Sequence, residues 1–383
     1  MQNTYLFWDG LSADQMTQVR DQFGSVDAWL GLKRARSSTL LTVWQNDVPV
    51  GISVMTHDRV AIQGTIVDIA TIRLQSFSAS PDTLDVVDLT MMHAAAALDE
   101  GIGIILRTGD SSTWAAFGFA PISYDVVTSW THQPRMSRPQ PGTTQRVKAN
   151  SDTVHAISDM QRVRPTGSVD IVDWDDVHPA DWLLLTSRDG QLRGAAKLDI
   201  TNDAIQCRRA VVSDDGAAGD LIDGIIDTFT ATKLQFILPP AHPLTRMALA
   251  VGAETRTRAA QPYGVLGGII DLPTMLTALI PAFTARVAAS RYSDWVGGVR
   301  LEISDERAMI MLNAGVVTII DGTREAAVRM RTIEVPALAQ LCFGYRSVSA
   351  LRRAGLLACD DTELPICEIL FPCLTPVLPL FRS

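Results

Sequence analysis

Apolar residues recur with two periods along this chain. Leu11, Met16, Val19 and Phe23 lie at helical spacing behind Ser12, which predicts a capped helix over Ser12–Phe23. Val26–Arg36 reads as a second helix. Leu40–Trp44 and Val48–His57 alternate as strands around a Gln45-Asn46-Asp47 turn, and Val60–Phe77 carries a further pair broken near Gly64. The strongest helical pattern is Asp82–Glu100, with Leu84, Val87, Met91, Met92, Ala95 and Leu98 on one stripe and Gly101 as its stop. Ile104–Arg107 and Tyr124–Trp130 read as strands. Thr131–Asn150 contains Pro134, Pro139, Pro141 and Gly142 without a period, so a linker is expected there.

The same order of elements then returns. Thr153–Arg162 reads as helical, Trp182–Ser187 and Arg193–Ile200 flank the hairpin signal Asp189-Gly190, and Ala204–Val212 is a strand. Gly219–Thr232 is a helix, Leu234–Leu238 a buried strand and Pro243–Val251 a helix stopped by Gly252. Strand, strand, strand, helix, strand, helix is a weak structural repeat of the first segment. A third segment starts near Ile270. It has a helix over Pro273–Ala289, strands over Gly298–Ser304, Ala308–Asn313, Gly315–Ile320 and Glu325–Ile333, and short helices at Val335–Leu341 and Ser347–Ala354. The tail Phe371–Phe381 is apolar and proline-rich. It is unfit for a central strand and is expected to be buried against another domain.

Composition narrows the function classes. The chain has 383 residues, 47% of them apolar and 20% charged, which suits a protein of two or three packed domains. Its net charge of −9 argues against a general nucleic-acid binder, which needs clustered Lys and Arg. No apolar run reaches the ~18 residues of a membrane span, and the N-terminus lacks the form of a signal peptide. Cys207, Cys342, Cys359, Cys367 and Cys373 are odd in number and have no C-x-x-C spacing, so a reducing cytoplasm and structural packing are expected. The six histidines are scattered, and no metal is assigned.

Three stretches resemble a known family. Ile104-Ile-Leu-Arg-Thr-Gly-Asp-Ser-Ser-Thr-Trp-Ala-Ala-Phe-Gly-Phe-Ala-Pro121 is similar to the end of a GNAT acetyltransferase domain. Ile269-Ile-Asp-Leu-Pro273, Leu341-Cys-Phe-Gly-Tyr-Arg346 and the Phe371-Pro372 tail resemble the sterol-carrier-like domain of the enhanced-intracellular-survival (Eis-like) acetyltransferases. The resemblance implies an α/β (α+β) fold of three parts: a GNAT-like mixed-sheet domain over 1–148, a degenerate second one over 149–270, and a sterol-carrier-like α+β domain over 271–383. It also implies an acetyl-CoA-dependent N-acetylation of a small-molecule amine. The backbone around Phe77, Ser78 and Ala79 would hold the pantetheine, and the start of the central helix would hold the pyrophosphate.

The chain departs from the family at that helix. The family's loop uses glycines so that backbone N–H groups can approach the phosphates. Here the stretch is Leu84-Asp85-Val86-Val87-Asp88-Leu89, with Leu84, Val87 and Leu89 on the loop's key positions. Asp82, Asp85 and Asp88 occupy the same turns, where carboxylates satisfy the helix terminus themselves and repel a second anion. The family's acidic Tyr falls on Trp114, whose indole donates a hydrogen bond but is no useful acid. Tyr124 lies beyond that turn. Two candidate bases remain: Asp68, which alternates with apolar neighbours, and the chain-terminal carboxylate on Ser383, which the family resemblance suggests. The alternative to an enzyme is a non-catalytic GNAT-fold protein that binds a small or apolar ligand, or one that acts as a homo-oligomer.

Overall fold

The computed structural model describes residues 4–24, 38–62, 65–78, 83–131, 143–147, 156–157, 160, 169–171, 181–186, 191–200, 204–229, 233–259, 263–303, 306–323, 328–332, 335–374, 376 and 378. The helix expected over Val26–Arg36 and most of that over Thr153–Arg162 lie outside the described residues.

The first segment runs β1 (Thr4–Phe7), α1 (Ala13–Gln22), β2 (Ser38–Gln45), β3 (Val48–Ile62), β4 (Thr65–Phe77), α2 (Thr83–Asp99), β5 (Ile104–Asp110), α3 (Ser111–Ala115), β6 (Ala120–Pro121) and β7 (Tyr124–Thr131). Ser12 caps α1 reciprocally with Gln15, as its position before the apolar stripe implies. Asn46 and Asp47 both take the left-handed conformation, the turn whose twist matches two antiparallel strands. Gly101, at φ +78°, stops α2.

The second segment runs β8 (Thr143–Val147), β9 (Val169–Ile171), β10 (Asp181–Thr186), β11 (Leu192–Ile200), β12 (Ile205–Val212), α4 (Asp215–Thr228), β13 (Lys233–Phe236), α5 (Pro243–Ala250), β14 (Glu254–Ala259) and β15 (Tyr263–Ile269). Helix α4 begins four residues before the expected Gly219, because the Asp214 carboxylate caps it by accepting from Ala217 N at 2.7 Å. The stretch expected as a linker contains strand β8, which pairs with β10. Pairing with a neighbouring strand, rather than local periodicity, makes it a strand.

The sheets cut across the segments expected from the sequence. The first sheet has the order β1-β2-β3-β4-β5-β15-β6, with β9 added on β3; the second has the order β14-β7-β13-β12-β11-β10-β8. Strand β7 therefore leaves the first segment to sit inside the second sheet. Strand β15 returns from the second segment to sit between β5 and β6. Its glycines explain why it was not visible as a strand. A Cβ on Gly267 would lie 2.9 Å from the Ile122 side chain, and one on Gly268 would lie 3.0 Å from the Phe119 ring.

The third segment runs α6 (Leu272–Ala278), α7 (Ile280–Ala288), β16 (Val296–Ile303), β17 (Glu306–Asn313), β18 (Val316–Asp321), β19 (Val328–Thr332), α8 (Val335–Cys342), α9 (Val348–Arg353), β20 (Leu357–Ala358) and α10 (Leu364–Leu370). The single helix expected over Pro273–Ala289 is two, broken at Leu279 just ahead of Pro281, which cannot continue the earlier ladder. The third sheet has the order β18-β17-β16-β19-β20. Its core merges with one face of the first sheet, so Val60, Ile69, Leu106 and Val265 pack in one cluster with Phe283, Leu312 and Phe371. Of the tail's described residues, Phe371, Pro376 and Leu378 are buried and Cys373 is exposed. Tyr124 N donates to Pro376 O at 2.8 Å, Leu378 N donates to Ser123 Oγ at 2.8 Å, and the Tyr124 ring stacks on Tyr345 with centroids 4.3 Å apart.

Gly103 marks a close main-chain approach between the first sheet and the third segment. A Cβ there would lie 2.7 Å from Met275 N and 2.9 Å from Asp271 O, both main-chain atoms that cannot rotate away. Gly103→Ala is expected to lower unfolding stability by about 1–3 kcal/mol. Gly10→Ala, with nothing within 4 Å of the added atom, should change it by less than about 0.5 kcal/mol. Urea denaturation of the two variants checks this; equal stability would show that α6 yields freely.

Candidate functional site

The functional geometry starts from a short ladder. Strands β4 and β5 pair in parallel only at Ala70–Ile105 and Thr71–Leu106. Past these pairs β4 continues to Phe77 alongside β3, while β5 continues to Asp110 alongside β15. The two strands therefore part company in the middle of the sheet, leaving a wedge roofed by α2. The pairing of β3 with β4 also slips here: Val54 opposes Leu74 and Met55 opposes Ile72, which leaves Arg73 as the bulged residue.

On the α2 side, side chains bridge the wedge. The Arg107 guanidinium, from the first residue of β5 beyond the ladder, donates to Thr90 Oγ1 at 2.9 Å, Gln75 Oε1 at 3.1 Å and Thr108 O at 3.3 Å. The Trp114 ring lies 3.2 Å from its central carbon, a cation–π stack. Arg107 is only 7% exposed and has no carboxylate partner among the described residues. Burial pushes its pKa down from 12.5 to about 9, which still leaves it a cation at neutral pH. Beside this bridge, His93 on α2 is fully buried with Nε2 2.9 Å from Ser53 Oγ and with Nδ1 unpartnered among the described residues. Burial lowers its pKa to about 3, so it is neutral.

The opposite face of the sheet carries a second polar group. Asp58 is fully buried; its carboxylate accepts from Arg73 at 2.7 Å and from Thr56 Oγ1 at 3.0 Å. The hydroxyl of Thr71, the last laddered residue of β4, is buried without a hydrogen-bond partner among the described residues. A buried ion pair and an orphan hydroxyl at the mouth of a wedge form an arrangement more costly than packed apolar residues of the same shape.

The residues singled out from sequence are scattered around this wedge. Asp68 is exposed, on the opposite side of β4 from the buried Val67 and Ile69, so it points to solvent and not into a cleft. Trp114 does not face an open site; it is 4% exposed and packs on Arg107, Phe117 and Phe119. Val86 is half-buried, and Val87 and Leu89 are core residues against the sheet, Val87 with Met55 and Ile105 and Leu89 with Leu41 and Val43. Asp88 is exposed and accepts from the Tyr5 hydroxyl at 3.1 Å. Phe77 is half-buried over Gly51, and Ser78 is exposed with its N–H bonded to Val50 O at 2.9 Å. The side chains of Leu84 and Asp85, and all of Ala79 and Ser383, lie outside the described residues. Tyr124 donates to Tyr345 O at 2.7 Å in the interface with the third segment. Among the described residues no group of His, Cys, Asp or Glu could hold a metal. No described helix is long and apolar enough to cross a membrane.

Sequence reasoning missed Arg107, Gln75, Thr90, Asp58 and Arg73. One signal was present: Arg107 follows Ile-Ile-Leu in a strand whose other early residues are all apolar, a placement that demands a partner.

Comparison with known proteins bears on the wedge and the three sheets together. A conserved protein from Enterococcus faecalis described as a probable N-acyltransferase superposes with a TM-score of 0.72 at 14% identity, over 100% of both chains. A GCN5-related N-acetyltransferase from Anabaena variabilis gives 0.71 at 13% identity, over 98% of this chain and 99% of that one. Eis1 from Mycobacterium abscessus gives 0.64 at 12% identity, over 99% and 100%. The chain has the Eis-like acetyltransferase fold. Its third segment carries the matching signature, since the family described as Sterol carrier protein domain matches residues 283–379. Curated proteins gave no match by sequence.

His93 gives this Eis-like fold a built-in acid sensitivity. A histidine whose folded pKa lies below its unfolded value of about 6.5 leaves stability intact above that pH and removes it as pH falls toward 3. Between pH 7 and pH 5 this one group should remove about 2 kcal/mol. His93→Gln, which keeps a donor for Ser53, should flatten that part of the stability–pH curve. An unchanged slope by chemical denaturation at each pH would show that His93 is not the titrating group.

Proposed function

We propose that this protein binds an acyl-CoA in the wedge between β4 and β5 and transfers the acyl group to a small-molecule amine. The observation that carries this is the two-pair ladder: the strands part immediately beyond Thr71 and Leu106, in a fold shared over its whole length with acyltransferase structures. The wedge offers an extended thioester arm unpaired backbone groups on both sides. The bulge at Arg73 turns strand backbone toward the point where the thioester carbonyl would lie. The amine nitrogen attacks the carbonyl carbon, the carbon–sulfur bond breaks, and the amine proton and the CoA sulfur must both be served. Trp114 cannot donate that proton, and the Asp58 carboxylate is already held by Arg73. No acid or base among the described residues is placed for this step, so the proton lost by the amine passes through solvent to the departing thiolate, and slow turnover is expected. The five free cysteines suit a reducing, cytoplasmic setting.

One specific observation favours a second reading, a ligand-binding protein without catalysis. Val87 and Leu89 are committed to the core, and the wedge is already bridged by Arg107 and Gln75. Thermal unfolding with and without millimolar acetyl-CoA separates the two. A site filled to 100 times its dissociation constant should add about 2.7 kcal/mol of stability. Native mass spectrometry should then show one CoA per chain. No shift and no retained CoA would sink the enzyme assignment and leave the binding protein.

A further inference from the structure

Resting on the acyl-CoA assignment above, we propose that Arg107 selects an acyl group that ends in a carboxylate, as in a dicarboxylic half-thioester such as succinyl-CoA. A buried arginine normally sits beside an anion, because an unpaired buried charge is costly. Here the guanidinium has only neutral acceptors among the described residues: Thr90, Gln75 and the Thr108 carbonyl. Those contacts use three of the five N–H donors that a guanidinium carries. Among the described residues two donors are left for a ligand, one on each terminal nitrogen, a pair of the kind that binds a carboxylate. Trp114 covers one face of the guanidinium and holds that pair in place.

Position along the wedge decides which anion it meets. Arg107 follows Leu106, the last laddered residue, so it stands at the throat where the strands begin to part. Its partner Thr90 lies seven residues into α2 from Thr83, about 10 Å along the helix axis. Phosphates gathered at the helix N-terminus would be that far away, whereas the acyl end of the arm would reach the throat. A neutral acetyl group would leave the cation uncompensated. A carboxylate two or three carbons beyond the thioester would neutralise it with a bidentate, charge-assisted pair.

The test is a binding comparison on the full chain with acetyl-CoA, succinyl-CoA, free CoA and free succinate, read by titration calorimetry. Succinyl-CoA should bind at least tenfold more tightly than acetyl-CoA, and Arg107→Gln should reduce that ratio to below about twofold. The wild-type ratio needs no variant, so it decides even where Arg107→Gln fails to fold. Equal affinities for the two thioesters would overturn the selection and leave the acyl-CoA assignment standing. Binding of neither would overturn both. Succinate alone binding as tightly as succinyl-CoA would overturn the acyl-group proposal in favour of a free-dicarboxylate site.

Discussion

The structure depends on an exchange of strands. Strand β7 leaves the first sheet's segment to complete the second sheet, and β15 comes back to fill the place between β5 and β6. Each sheet is thereby finished by a strand from the other's sequence. Neither can open without unpairing the other, so the wedge at β5 inherits the rigidity of both. β15 pairs along the whole of β5, from Ile104–Ile269 to Asp110–Tyr263. That pairing frees β5 from β4 beyond the throat, because an unpaired strand in mid-sheet would leave a row of buried amide and carbonyl groups without partners. The divergence is possible because β5 has a better partner on its other side.

The polar groups at the throat follow from the same geometry. Where two strands part, their inward side chains lose close neighbours, and the gap must be filled or bridged. On the α2 face it is bridged by Arg107, Gln75 and Thr90 under Trp114. On the other face lie Asp58, Arg73 and Thr56, between the core around Trp8 and Val19 and the core shared with the third segment. These groups cost stability where they are. Apolar residues of similar volume would pack there at less expense. Such concentrations of buried charge are a mark of sites kept for recognition or chemistry.

How much of this could be read from the chain varies by element. Helices α1 and α2, the hairpin at Asn46-Asp47 and the glycine stops were legible, because capping and periodicity are local. Strand β15 was not, because Tyr-Gly-Val-Leu-Gly-Gly-Ile lacks side chains where Phe119 and Ile122 press on it, and its strand character comes from partners distant in sequence. The substituted loop was legible in part. Val87 and Leu89 were recognised as unable to serve a phosphate, but the stripe expected on α2 was turned: Met91, Ala95 and Leu98 are exposed, and the face on the sheet is Val87, Leu89, Thr90, His93, Ala94 and Ala97. Asp68 was singled out because it alternates with apolar neighbours, whereas Asp58 stands between His57 and Arg59 and gave no such signal. Only the bulge at Arg73 and the packing of the third segment decide which face is buried.

The position of β15 has a consequence for how the protein comes into being. Ile104 waits for Ile269, some 165 residues later in the chain, before its strand has both neighbours. A nascent chain emerging from the ribosome therefore carries an incomplete first sheet, with β5 exposed as an edge, through the synthesis of almost the entire second segment. Long-range pairing of this kind slows folding and leaves strand edges open to other chains. The tail that buries Leu378 against Ser123 arrives later still. The wedge therefore cannot be complete until β15 has been made, two thirds of the way along the chain.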